Sequence, residues 1–171
     1  MYLKIIGAAL ILLACLRIGT VLILQERQRV VQLRAFFVLI TAIREGIGVL
    51  HLPLREICTQ HRDPNLVKTG YTEALMRRFS SEEDTGMPVL ANAFFDISES
   101  LSLTEGEVQL LSAFFLDIGT QDSEKECSRC DYYKAKLSGL LETAVEGLPA
   151  RIKVLRTVSL SVGGLLVLML L

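Results

Sequence analysis

Apolar positions follow two regimes along this 171-residue chain. Residues 5–24 form an apolar run of 20 with a single charge, Arg17, and with Lys4 just before it. As a helix the run is about 30 Å long, enough to cross the hydrocarbon of a bilayer. Residues 154–171 repeat the pattern over 18 positions with one charge, Arg156, near the entrance. That is about 27 Å, so the second run crosses with little tilt or with local thinning. Between the runs apolar residues return at helical spacing, as in Val30, Leu33, Phe36, Phe37, Ile40 and Ile43. No alternating pattern lasts long enough to argue for a strand.

The punctuation predicts about six helices between the two runs. The first continues out of residues 5–24 to near Ile47, with Gly46 and Gly48 as its stop. Pro53 opens a short helix toward Gln60, and Asp63-Pro64 reads as a cap followed by a first-turn proline. Gly86-Met87-Pro88 separates the third helix from the fourth. Thr104 and Glu107 have capping-box spacing, Gly119 ends the helix they open, and Asp122 caps the last long one. Gly147-Leu148-Pro149 predicts a kink, because Pro149 lacks the N–H that would bond one turn back. The expected fold is all-α: an antiparallel bundle over 25–151 between transmembrane helices at 5–24 and 152–171.

Composition sharpens this picture only once it is resolved along the chain. A mean hydropathy of +0.44 beside 22% charged residues means that the apolar residues are concentrated, here at the ends. Disordered, collagen-like and disulfide-scaffold classes are excluded. The net charge of −1 hides segregation: 1–78 carries +6, 79–131 carries −10 and 132–171 carries +3. An acidic middle argues against nucleic acid as a partner. Basic residues flank the inner ends of both runs, with Arg27, Arg29 and Arg34 after the first and Arg151, Lys153 and Arg156 at the entrance of the second. The positive-inside bias therefore predicts a membrane protein with two spans, its middle in the cytoplasm and both termini outside. A rival reading takes Leu12-Leu13-Ala14-Cys15 as a lipoprotein cleavage box, which would lipidate Cys15 and export the domain as a tether. Against it, the apolar run continues to Leu24 where a polar tether is expected, and the basic flanks oppose export.

Candidate chemistry is sparse. No P-loop, H-E-x-x-H or G-x-S-x-G motif is present, and His51 and His61 read as surface histidines near turns. Cys127-Ser128-Arg129-Cys130 has C-x-x-C spacing, but Cys15 and Cys58 do not make a second pair for zinc. The pair falls within a helix rather than at its start, which predicts partly exposed, inert thiols. No enzyme activity, metal or cofactor is expected. Small residues in the runs, Gly7 and Ala14 in the first and Ser159 and Gly163 in the second, have spacing that lets helices approach closely. Packing of the two runs on each other and packing between copies both remain open. The acidic stretch supplies candidate partner-docking residues: Glu82, Glu83, Asp84, Glu105 and Glu107.

Gly7 and Cys15, Leu33-Arg34, residues 39–54 (LITAIREGIGVLHLPL), Phe114-Phe115-Leu116-Asp117-Ile118-Gly119 with Asp122, and 156–171 with Gly163-Gly164 occur in an order that is telling. In that order and spacing the chain resembles the stage III sporulation protein AB family of endospore-forming bacteria. It departs from the family's habit at Arg44-Glu45-Gly46-Ile47 and at Glu126. The resemblance implies a soluble part similar to the cytoplasmic bundles of the type II secretion inner-membrane platform protein. It also implies a non-enzymatic scaffold subunit of the channel complex between mother cell and forespore. The implied location is the cell membrane, with the bundle in the mother-cell cytoplasm. The implied partners are the ATPase, stage III sporulation protein AA, and the other membrane subunits of the complex.

Overall fold

The computed structural model describes residues 2–80, 89–119 and 122–170; side chains are described for 7, 10–80, 89–119 and 122–169. These residues form seven helices and no strand: α1 (Tyr2–Gly48), α2 (Leu54–Gln60), α3 (Pro64–Lys68), α4 (Tyr71–Ser80), α5 (Val89–Ser98), α6 (Glu105–Asp117) and α7 (Ser123–Leu170). The seventh arises because the third expected helix is two. The chain breaks at Gly70, whose φ is +81°, and the Thr69 hydroxyl accepts the Tyr71 N–H at 3.3 Å to start α4. Several expected boundaries hold, while the separator Gly86-Met87-Pro88 lies outside the described residues. The Asp63 carboxylate accepts the N–H groups of Asn65 and Leu66 at 2.7 and 3.0 Å, capping α3 with Pro64 in its first turn. Gly119, at φ +86°, follows the end of α6. Pro149 lies inside α7, which continues through it without a break.

Residues cluster into two compact units, Arg29–Glu142 and a pair of terminal segments, Met1–Gln28 with Thr143–Leu171. The core of the first unit is aromatic. Phe36 of α1 lies edge-on to Tyr71, Phe94 and Phe115 at centroid distances of 5.8, 5.5 and 6.2 Å, and Tyr71 stacks on Phe115 at 5.2 Å. All four rings are fully buried, and each contributes about 1.5–3 kcal/mol by leaving water. Of the helical series read in α1, Leu33, Phe36, Ile40 and Ile43 are buried, whereas Val30 and Phe37 are half-buried. Gly46 does not stop α1. It lies within the helix, where an added Cβ would come within 2.5 Å of the Ile57 side chain, so its role is to let α2 pack closely. The chain turns out of α1 three residues beyond its last helical residue, Gly48. There the only non-glycine positive φ among the described residues falls on His51, at 51°, and the Leu52 N–H reaches back to the Gly46 carbonyl at 3.0 Å.

The terminal segments make an antiparallel pair of helices. Gly19 faces Ser159, Cys15 faces Gly163, and Glu26 accepts a hydrogen bond from Arg151 at 3.4 Å. Residue numbers rise on one helix as they fall on the other. Around this seam the apolar side chains point outward: Leu10, Leu13, Ile18 and Leu24 on α1, and Val154, Leu160, Leu165 and Leu168 on α7, are all exposed. Among the described residues one helix is long and apolar enough to cross a membrane, the C-terminal part of α7. Its best window has a mean hydropathy of 1.7 and is only 6% buried. A core helix of the same composition would be mostly covered.

Candidate docking and packing surfaces

Glu105 and Glu107 open α6 but fall into different environments. Glu105 is exposed on the first turn. Glu107, by contrast, is 1% exposed and is held by Arg29 of α1, whose Nη2 and Nε lie 2.7 and 3.0 Å from its two oxygens. The same carboxylate accepts the Thr104 N–H at 2.8 Å, closing the capping box. Burial alone would push the Glu107 carboxyl up, but the hydrogen bonds from Arg29 and Thr104 outweigh it and hold the group below the usual carboxylate value. Its two oxygens are committed inside the bundle, which removes Glu107 from the expected docking set. The capping spacing was readable, but the cation that pairs with it lies 78 residues away in sequence. Glu82, Glu83 and Asp84 lie outside the described residues.

The acidic stretch divides into committed and available carboxylates. Arg78 of α4 reaches Asp96 of α5 at 2.8 Å, and its guanidinium holds that carboxyl below the usual range. Arg44 meets Asp131 at 3.2 Å on an exposed surface, and the Tyr133 hydroxyl donates to Asp117 at 3.0 Å. Lys125 lies 3.7 Å from Asp122 at the start of α7, where both side chains are largely exposed. Glu99 and Glu124 of the same stretch are exposed as well, like Glu105. Phe95 on α5 and Leu116 on α6 are exposed apolar side chains in the same stretch of sequence.

Two recesses mark the bundle. One of about 250 Å³ lies under the end of α1, lined by Ala42, Glu45, Gly46, Leu50, Ile57 and His61 among others. His61 is thus half-buried rather than a surface residue, and its Nε2 has no hydrogen-bond partner among the described residues. A second of about 310 Å³ is bordered by Phe37, Asp131, Lys134, Ala135 and Ser138. The cysteines of the C-x-x-C pair differ. Cys127 is half-buried against the end of α1, where its thiol lies 3.9 Å from the Arg44 carbonyl, whereas Cys130 is fully buried. The expected partial exposure therefore fails for Cys130, whose burial pushes the thiol up to about 12. A thiol so protonated is a poor nucleophile at neutral pH. No three His, Cys, Asp or Glu side chains gather as a metal site among the described residues.

Of the small residues expected to pack, Ser159 and Gly163 lie on the seam. An added Cβ at Gly163 would stand 3.2 Å from the Cys15 Cβ, and one at Gly19 would stand 2.5 Å from the Ser159 Oγ. On α1, however, the seam is made by Cys15 and Gly19, not by Ala14, which is exposed; Gly7 is half-buried. Cys15 and Gly19 stand at the four-residue spacing of close-packing helices, with the cysteine in the place of a smaller residue.

The helical class and the exposed apolar C-terminal segment agree with that part of the expected layout. A family model described as "Stage III sporulation protein AB (spore_III_AB)" matches residues 4–171. The chain belongs to the stage III sporulation protein AB family. Membership covers both units and gives the chain a sporulation-related role in the stage III machinery. No curated protein and no solved structure matches the chain.

Proposed function

We propose that this family member is a non-enzymatic membrane platform of the sporulation channel complex. Two spans, 5–24 and 152–171, hold its helical bundle at the cytoplasmic face of the mother-cell membrane, with both termini outside. The observation that carries the reading is the apolar, uncovered C-terminal part of α7, entered through Arg151, Lys153 and Arg156. The antiparallel pairing of the two terminal segments supports it, because a hairpin returns both basic ends to the same side. Basic residues beside an anionic leaflet gain about 1 kcal/mol each. The acidic outer surface of the bundle is then available to a basic partner.

The bundle docks the cytoplasmic ATPase, stage III sporulation protein AA, and other membrane subunits, in the manner of a type II secretion platform. Glu82, Glu83, Asp84 and Glu105 are the docking candidates that remain. Reversing all four to lysine lowers recovery of the ATPase with the tagged chain, while membrane levels stay unchanged. Undiminished recovery sinks the docking assignment. Lipid-precursor labelling tests the exported-tether alternative: label that disappears in Cys15→Ala would reverse the topology.

A further inference from the structure

The two runs contain one cation each, and these cations differ in how they can be satisfied. Arg156 is the third residue of its run, about 3 Å from the entrance. Every Cα–Cβ bond in a helix tilts toward the N-terminus, so on α7 the Arg156 side chain leans back toward that entrance and its headgroups. Arg17 has no such exit. It lies seven residues before Leu24 and twelve after Ile5, about 10 and 18 Å from the two ends of its run. On α1 the same tilt points the Arg17 Cα–Cβ bond away from the nearer end and toward the middle of the bilayer.

Nor does the hairpin itself neutralise it. Arg17 is two residues from both Cys15 and Gly19, hence about 200° around the helix from the side that α7 covers. It is exposed on an outer stripe with Leu10, Leu13, Val21 and Leu24, and its backbone carbonyl accepts the Thr20 hydroxyl at 2.7 Å. Neither run contains an Asp or Glu, so a second copy of this chain brings no carboxylate to that depth. The next one along α1, Glu26, lies about 13 Å away and already meets Arg151 at 3.4 Å.

We propose that Arg17 and the outer stripe of α1 form an intramembrane docking face for a transmembrane helix of a different subunit, one carrying an Asp or Glu at matching depth. The proposal rests on the two-span reading. A cation at that depth costs about 2.5–3.5 kcal/mol on insertion scales, which a carboxylate on a packed neighbour offsets. Charge complementarity selects the partner, and the flanking leucines supply the packing surface.

The test uses the full-length chain at its own locus in sporulating cells. Arg17→Lys, Arg17→Leu and Arg17→Glu are each followed for membrane level, heat-resistant spore yield and maleimide accessibility of a cysteine placed at residue 13. Lys keeps the yield within about threefold, whereas Leu and Glu lower it at least about tenfold at equal protein level. The Glu variant regains its yield when a mid-span carboxylate of a co-purifying membrane subunit is made basic. Wild-type yield from Arg17→Leu overturns the proposal. A low yield that no such exchange restores also overturns it and assigns the anion to lipid phosphate. Labelling at residue 13 by a membrane-impermeant reagent refutes the two-span reading itself, separately from the charge pairing.

Discussion

Helix α1 contains two apolar stretches of similar character that obey opposite rules. In the bundle, Leu33, Phe36, Leu39, Ile40 and Ile43 are buried; in the terminal unit, Leu10, Leu13, Leu16, Ile18 and Val21 are exposed. Polar residues interrupt both stretches, Arg34 and Thr41 in the first and Arg17 and Thr20 in the second, so composition alone does not separate them. Where water is the solvent, burying apolar area stabilises the contact, so large rings collect around Phe36. On the proposed two-span reading lipid is the solvent of the terminal unit, where apolar burial gains nothing and close approach at Gly19 and Gly163 takes its place. Large residues hold one unit together, and small residues hold the other.

Paired truncations on α1 test this contrast most severely. Phe36→Ala should cost about 3–5 kcal/mol of bundle stability. Leu13→Ala should stay within about 0.5 kcal/mol. Chemical denaturation in mild detergent, followed by near-UV signal from the bundle tyrosines, reads both. Equal losses would abolish the distinction between the stretches.

Next in size is the buried pair. Glu107→Ala should cost about 3 kcal/mol, because Arg29 is left without its main counter-charge. The pH dependence has a definite sign. Glu107 titrates lower in the folded state than in the unfolded chain. Its contribution is therefore complete above the unfolded value of about 4.3 and is lost as pH falls through the folded value. The stability gap between wild type and Glu107→Gln should narrow across that acid window and stay constant from pH 5.5 to 7. A gap independent of pH below 4 would show that the carboxylate charge contributes nothing.

Smaller effects follow from the glycines. Gly46→Ala should cost about 1–3 kcal/mol, since Ile57 must move to admit the methyl group. In the terminal unit, Gly163→Cys should place a thiol within disulfide reach of native Cys15. Mild oxidation of membranes should then give an intramolecular crosslink, detected as faster migration on non-reducing gels and absent in Cys15→Ala. Dimer bands in its place would argue that the small-residue seam joins copies. Smallest of all, Arg44→Gln removes an exposed ion pair with Asp131 and should leave the denaturation midpoint within scatter.

Helix ends were the most legible feature, because capping is local chemistry. Asp63 with Pro64, Thr104 with Glu107, and Gly119 each act within a few residues of themselves. The break at Gly70 was equally local, in Thr69-Gly70, yet the periodicity on either side masked it. The candidate site was less legible. Glu105 and Glu107 are two residues apart and equally acidic in sequence, and only the distant Arg29 separates one as structural from the other as available.

The sequence by itself determined the class of fold, the capped helix starts at Pro64 and Glu105, the apolar ends and the segregation of charge. Each of these is a property of short stretches of chain. Tertiary structure alone decided that Gly46 admits Ile57, that Glu107 is consumed by Arg29, and that Cys15 and Gly19 make the α1 side of the seam. Those outcomes depend on which side chains meet across 11 to 148 positions of sequence. Spacing encodes the face of a helix, but which partner covers that face is set by packing of the whole chain.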